Sequence, residues 1–83
     1  MSYRIHVRVM PRAGLLDPQG KAVQSALGAL GFGEVGPVRV GRAIELTIRA
    51  DSRDEAEARA RQMCDRLLAN PVMEDYLLEV EED

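Results

Sequence analysis

The stretch Tyr3–Val9, YRIHVRV, decides the fold because apolar and polar side chains alternate along it without a break. A period of two is typical of a β-strand with one buried face and one open face. The buried face is predicted to carry Tyr3, Ile5, Val7 and Val9. The open face is predicted to carry Arg4, His6 and Arg8. The chain therefore needs further elements that cover the apolar side of this strand.

The next segment has the pattern of a helix. Asp17 followed by Pro18 predicts its start, because an aspartate side chain accepts hydrogen bonds from free N–H groups and proline fits the first helical turn. The apolar residues that share one helical face are Val23, Ala26, Leu27 and Leu30. Gly31 is placed where a left-handed glycine ends a helix.

Two more strands are predicted after this helix, one from about Val35 to Val40 and one from Ile44 to Ile48. Pro37 favours an edge position for the first of them, since proline has no backbone N–H to donate to a neighbouring strand. A hairpin turn at Gly41–Arg42 is predicted to join the two strands.

A second helix and a last strand complete the chain. Asp51 or Ser52 is predicted to cap the helix, and Asn70–Pro71 ends it because the residue before proline disfavours the helical region. The predicted buried face of the helix carries Ala56, Ala60, Met63, Cys64 and Leu67. The strand alternates apolar Tyr76, Leu78 and Val80 with glutamates.

This order, βαββαβ, predicts an α+β fold of the ferredoxin-like class. Right-handed crossovers would give a two-layer sandwich, with a four-stranded antiparallel sheet in the order 4-1-3-2 and two helices on one face. Residues 1–83 are predicted to form a single domain.

Charge and composition exclude several classes of protein. The net charge of −3 disfavours a dedicated nucleic-acid binder, and no apolar run is long enough to cross a membrane. The charge is uneven, with seven basic and three acidic residues in 1–50 against four and eleven in 51–83. A single cysteine and the lack of a secretory signal predict a cytoplasmic protein.

The run GFGEVG, Gly31 to Gly36, matches the dinucleotide-binding pattern G-x-G-x-x-G. The pattern needs a strand before the glycines and a helix after them, and here a helix ends and a strand is predicted to begin. It is therefore interpreted as a connection.

The sequence predicts no catalytic, cofactor-binding or metal-binding residue in this chain. His6 is the only histidine and lies between two arginines, and Cys64 lies on the apolar face of a helix. An acylphosphatase-like site would need an asparagine on the third predicted strand, and an RNA-recognition module would need aromatic residues on the open face. Both are missing. We expect instead that Arg4, His6 and Arg8 on the open face contact a partner.

Three motifs resemble those of PurS, the small subunit of phosphoribosylformylglycinamidine synthase. They are D-P-Q-G at Asp17–Gly20, V-R-V-G-R at Val38–Arg42 and N-P-V-M-E-D-Y at Asn70–Tyr76. The resemblance covers nearly the whole chain. It implies an accessory subunit of a carbon–nitrogen ligase in purine biosynthesis, one that forms homodimers or homotetramers on its own.

The resemblance also implies two larger partners, a glutaminase (PurQ) and an ATP-using synthetase (PurL) that binds ATP and magnesium. The small subunit would bridge them and assist ammonia transfer from glutamine to formylglycinamide ribonucleotide. Within the three motifs, the partner-interface candidates are Asp17, Pro18, Gln19, Gly20, Arg39, Gly41, Arg42, Asn70 and Pro71. The alternative interpretation is a free-standing regulatory domain of the same topology that binds a small molecule.

Overall fold

The computed structural model describes residues 1–14 and 17–83. Its elements in chain order are β1 (Ser2–Pro11), α1 (Pro18–Ala29), β2 (Arg42–Arg49), α2 (Arg53–Met63), a π-helical turn (Cys64–Leu68) and β3 (Glu74–Glu82). The α+β class, with two helices and an antiparallel sheet, is as predicted.

Strand β1 is the centre of the sheet and pairs with a strand on each side. Both pairings are antiparallel, in the order β2-β1-β3. Ile5 lies opposite Leu46 of β2 and Val80 of β3, and His6 lies opposite Glu45 and Glu79. The alternation of β1 therefore separates a core face from an open face, as its sequence predicts.

The prediction of four strands is wrong for the described part of the chain, where the sheet has three. Residues 35–40 contain no strand and Gly41–Arg42 form no hairpin. The Val40 N–H instead donates to the Asp17 carboxylate at 2.9 Å, and the Val38 carbonyl lies against Gly20. Because these two backbone groups contact the start of α1, they do not form hydrogen bonds with a neighbouring strand. The other three strands keep the predicted order, 4-1-3.

The core lies between the sheet and α2. Its largest fully buried side chains are Ile5, Val7, Val9 and Cys64. Two of the three alanines of α2, Ala56 and Ala60, are also buried, so the helix backbone approaches the sheet closely. Ser52 is the cap of α2, and its hydroxyl accepts a hydrogen bond from Glu55 N–H at 3.1 Å.

Helix α1 has the predicted ends but not the predicted place on the sheet. Asp17 caps it and Gly31 follows it with a φ of 101°. No residue of α1, all of which is described, belongs to the core or packs against it. The radius of gyration is 16.3 Å, whereas a compact chain of this length has about 12 Å. The sequence marks one face of α1 as apolar, but it does not specify which surface covers that face.

The π-helical turn corrects the predicted buried face of the second helix. Ala69 N–H donates to the carbonyl of Cys64, five residues earlier, at 3.0 Å. The wider turn shifts the phase of the side chains. Leu68 consequently packs against the core, while Leu67, predicted to be buried, is 81% exposed.

We expect Leu68→Ala to lower the free energy of unfolding by about 1–3 kcal/mol, because it removes partly buried apolar atoms from the core. Leu67→Ala is the matched control and should change it by less than about 0.5 kcal/mol, as exposed substitutions do. Urea unfolding followed by circular dichroism measures both. Equal losses in the two variants would contradict the phase shift.

Candidate functional site

The three sequence motifs meet at one end of the sheet. We call this region the motif end and define it as residues 9–12, 17–20, 38–42 and 70–76. It surrounds the carboxyl end of β1 and the first residues of β2 and β3. All nine motif candidates lie within it, so residues far apart in the sequence form one surface.

Asp17 joins two of the motifs through its carboxylate. One oxygen accepts from Gly20 N–H at 3.0 Å and the other accepts from Val40 N–H at 2.9 Å. These hydrogen bonds hold the pKa of Asp17 below its ordinary value of 3.8. The residue is therefore both a helix cap and the link between D-P-Q-G and V-R-V-G-R.

Two glycines allow backbone segments to approach each other at the motif end. A Cβ on Gly20 would overlap the carbonyl oxygen of Val38, and a Cβ on Gly41 would overlap that of Val9. Neither glycine has a positive φ, so the space for a side chain, rather than backbone conformation, explains the residue type. Both motif glycines are thus packing positions.

Two arginines of the motif end, Arg12 and Arg39, donate side-chain hydrogen bonds to backbone carbonyls of other segments. Arg39 donates to the carbonyl of Pro11 at 2.7 Å. Arg12 donates from its side chain to the carbonyl of Pro71 at 2.7 Å and from its backbone to the carbonyl of Met73 at 2.9 Å. Each contact fixes the path of a loop, since its acceptor is a backbone oxygen.

Arg42 makes the most extensive side-chain contacts of the site. Its guanidinium forms a two-pronged pair with Glu74, at 2.7 and 3.2 Å, and donates to the carbonyl of Leu68 at 2.6 Å. Glu74 also accepts from Asn70 N–H at 2.8 Å. The hydrogen bonds from Arg42 and then from Asn70 lower the pKa of Glu74. Arg42, predicted to lie at a hairpin tip, instead joins β2 to the turn before β3.

Sequence reasoning missed Glu74 and Arg12 as members of this site. A signal for Glu74 was present, because it shares the inward alternation of Tyr76, Leu78 and Val80. Arg42 likewise shares the inward alternation of β2. Two opposite charges at core-facing positions on the first residues of two strands indicate an ion pair. Arg12 follows the strand and carries no comparable signal.

The motif end also presents exposed groups. Pro18 and Gln19 are exposed on the first turn of α1, and Val72 is 75% exposed in the turn between Asn70 and Glu74. Asn70 forms that turn, since its side-chain oxygen accepts from Val72 N–H at 2.9 Å. Loops that are held in place and expose a side-chain amide (Gln19) and an apolar side chain (Val72) are suited to contact with a protein surface.

The open face carries the other three candidates, away from the motif contacts. Arg4 pairs with Asp83 at 2.9 Å and with Glu81 at 3.4 Å. His6 contacts Glu81 at 2.9 Å, and this hydrogen bond lowers the pKa of Glu81. In the described ranges Arg8 has no ion pair, and its cross-strand neighbours are Ala43 and Leu77. Partner contact by this face stays a prediction.

Three further features concern the thiol, possible metal ligands and possible membrane spans. Cys64 is a free, buried thiol, and burial raises its pKa, as expected of a core cysteine. Within residues 1–14 and 17–83, no three His, Cys, Asp or Glu side chains are grouped as metal ligands. In the same residues, no helix has the length and apolar character needed to cross a membrane.

We expect Gly20→Ala to destabilise the motif end, because its methyl group would displace Val38. The loss should be about 1–3 kcal/mol, typical of overpacking. Gly28→Ala is the matched control on the same helix, since nothing lies within 4 Å of its added Cβ. That variant should gain up to about 1 kcal/mol. Hydrogen exchange at the Val40 amide measures both, and faster exchange only in Gly28→Ala would contradict the packing role.

The depressed pKa of Asp17 predicts how the motif end responds to acid. Its contribution to stability is fully present above pH 3.8, the ordinary value, and is lost as the pH falls through the lower folded pKa. Amide signals of Gly20 and Val40, followed by NMR against pH, should shift with a midpoint below 3.8. Asp17→Asn should abolish the titration. A midpoint at or above the ordinary value would contradict the two hydrogen bonds.

Sequence comparison places the chain among known proteins. A family model described as PurS, phosphoribosylformylglycinamidine (FGAM) synthase, matches residues 4–82. The FGAM synthase subunit PurS of Bacillus subtilis is 48% identical over 80 residues, which cover 96% of this chain and 94% of that protein. The same subunit from Synechocystis is 46% identical over 79 residues, covering 95% and 79%.

Solved structures agree with the sequence match. Bacillus subtilis PurS superposes with a TM-score of 0.87 at 48% identity, covering 96% of this chain and 99% of that chain. A chain in the structure of PurLQS from Thermotoga maritima superposes with a TM-score of 0.88 at 26% identity, covering 98% and 99%. The three motifs, their convergence at one end of the sheet and these matches lead to one conclusion: the chain belongs to the PurS family of FGAM synthase subunits.

Proposed function

We propose that this chain is the non-catalytic small subunit of FGAM synthase and that it bridges a glutaminase (PurQ) and an ATP-using synthetase (PurL). Family membership supports the role in purine biosynthesis. The structure named PurLQS from Thermotoga maritima, which contains a chain of the same fold, supports the two partners. We infer a cytoplasmic location from the single reduced, buried cysteine.

The observation that carries the proposal is the construction of the motif end. Carboxylate, guanidinium and backbone groups from three distant segments are used to fix loops, and they leave Gln19 and Val72 exposed at its surface. A pre-formed surface loses little entropy on binding. In this proposal, the contacts of the site fix the shape of a docking surface.

The chemistry is divided among the subunits. The glutaminase releases ammonia from glutamine, and the synthetase uses ATP and magnesium to replace an amide oxygen of formylglycinamide ribonucleotide with that nitrogen. Ammonia that reaches water is protonated and is no longer a nucleophile. A subunit that seals the junction between the two sites excludes water, which prevents this loss. The contribution of this chain is therefore alignment of the larger subunits and closure of their junction.

Reconstitution with purified PurL and PurQ tests the proposal. Omitting this chain should abolish glutamine-dependent FGAM synthesis and leave synthesis from added ammonium salt, because free ammonia bypasses the glutaminase. Val72→Asp should reduce glutamine-dependent synthesis at least about tenfold, as loss of an apolar interface contact does. It should not lower the midpoint temperature of thermal unfolding of the isolated chain.

Leu77→Asp is the matched control, because Leu77 is an apolar residue of similar exposure, 65%, on the open face. A loss in Leu77→Asp with none in Val72→Asp would move the docking surface to the open face. Full glutamine-dependent synthesis without this chain would overturn the proposed function. A ligand-induced thermal shift of the isolated chain, with no binding to PurL or PurQ, would favour the regulatory alternative.

A further inference from the structure

Strand β3 is an edge of the sheet, and within residues 1–14 and 17–83 one row of its backbone groups has no partner. The order β2-β1-β3 gives β3 a neighbour on one side only. Just beyond the two ends of the β1–β3 pairing, Asp83 N–H donates to the carbonyl of Ser2 and Arg12 N–H donates to that of Met73. In an antiparallel pair, every second residue bonds to the neighbouring strand. Odd-numbered residues of β3 therefore bond to β1, and the N–H and C=O groups of even-numbered residues point outward.

These outward groups form a continuous row along the strand. We call the backbone groups of Tyr76, Leu78, Val80 and Glu82 the β3 edge. The outward N–H of Glu74 is already used, since it donates to the carbonyl of Asn70 at 2.8 Å. A row of unpaired N–H and C=O groups is a template for a further strand. Strand β3 has nine residues, contains no proline and can pair along its whole outer side.

A groove of about 400 Å³ lies beside the β3 edge. Arg53 and Glu57 of α2 line one side of it, and Leu78 and Val80 of β3 line the other. Leu78 is only partly buried against the core, so part of its apolar surface is open to the groove. Domains that bind an extended peptide at a sheet edge gain affinity from main-chain hydrogen bonds and specificity from contacts with alternate side chains. The β3 edge and its groove offer both kinds of contact.

The charge of β3 favours one kind of occupant. The strand EDYLLEVEE carries five acidic side chains and no basic one. Three of the five pair with side chains elsewhere in the chain, namely Glu74 with Arg42, Asp75 with Arg12 and Glu81 with Arg4. In the described part of the chain, Glu79 and Glu82 form no ion pair, and both are exposed. Like charges on neighbouring strands disfavour pairing and opposite charges favour it. A second copy of β3 is therefore a poor occupant, and a strand with basic side chains is a good one.

We propose that the β3 edge binds an extended basic segment of another protein, which becomes a fourth strand of the sheet. Outward N–H and C=O groups of β3 bond to the main chain of that segment. Its basic side chains pair with Glu79 and Glu82, and its apolar side chains enter the groove at Leu78. This surface is distinct from the exposed turn at Val72. It goes beyond the bridging function, and each of the two proposals stands or falls separately.

A peptide titration of the isolated full chain is the first test. The probe is an acetylated and amidated peptide of four Val-Lys repeats, and the control is the same peptide with Glu in place of Lys. At saturation, the Val-Lys peptide should slow hydrogen exchange of the four β3-edge amides at least about tenfold, because each gains an acceptor. Amides of β2 should be unaffected, and the Val-Glu peptide should have no effect. Equal effects of both peptides, equal effects on β2, or no effect at all would overturn the proposal.

Variants of Glu82 separate the backbone contact from the charge. Its N–H points outward and its side chain is exposed, so proline is tolerated there. Glu82→Gln removes the charge and should weaken Val-Lys binding about two- to fivefold, as loss of an exposed ion pair does. Glu82→Pro also removes an edge donor and should weaken binding at least about tenfold. The midpoint temperature of thermal unfolding should be the same in both variants.

Unchanged peptide binding in Glu82→Pro would contradict strand addition at this edge. Sedimentation of the isolated chain covers the other occupant, a second copy. A lower mass in Glu82→Pro than in the wild type, with no peptide effect on the wild type, would assign the edge to a second copy and overturn the proposal.

Discussion

The structure depends on the pairing of β1 with a strand on each side. Hydrogen bonds to β2 and β3 fix its alternation, so Ile5, Val7 and Val9 face α2 while Arg4, His6 and Arg8 face outward. Each neighbouring strand inherits its register from β1, because a slip of one residue would turn its apolar side to solvent. The carboxyl end of β1 is also where the loops collect, so the central strand positions the motif end as well as the core.

At the motif end, polar side chains from segments far apart in the sequence fix the paths of loops. The side chains of Asp17, Arg12, Arg39 and Arg42 all bond to backbone atoms. Arg42 also pairs with Glu74. Hydrogen bonds of this kind restrict loops whose own backbone groups are outside the sheet. The loops fixed in this way expose the amide of Gln19 and the apolar side chain of Val72, on which the proposed docking surface is based.

The open face of the sheet carries paired charges. On the open face, Arg4 and His6 are matched by Glu81 and Asp83, and exposed pairs of this kind add little stability. Large apolar side chains are exposed at Leu30 after α1, at Val72 in the motif end and at Leu77 on the open face. A chain of 83 residues has a limited core, and within the described residues α1 adds no side chain to it.

The sequence by itself determined all three strands of the sheet, both helices, the cap at Asp17, and the family through its three motifs. It left the cap of α2 open between Asp51 and Ser52, and the structure assigns it to Ser52. These features depend on local periodicity and on side chains that bond within a few residues. Only the tertiary structure decided that residues 35–40 are not a strand, that Leu68 replaces Leu67 in the core, and that α1 leaves the sheet. In each case a contact between distant residues, or a change of helical pitch, overrides the local pattern. Asp17 and Gly20 use the backbone of residues 38–40, and no pattern within that segment records the contact.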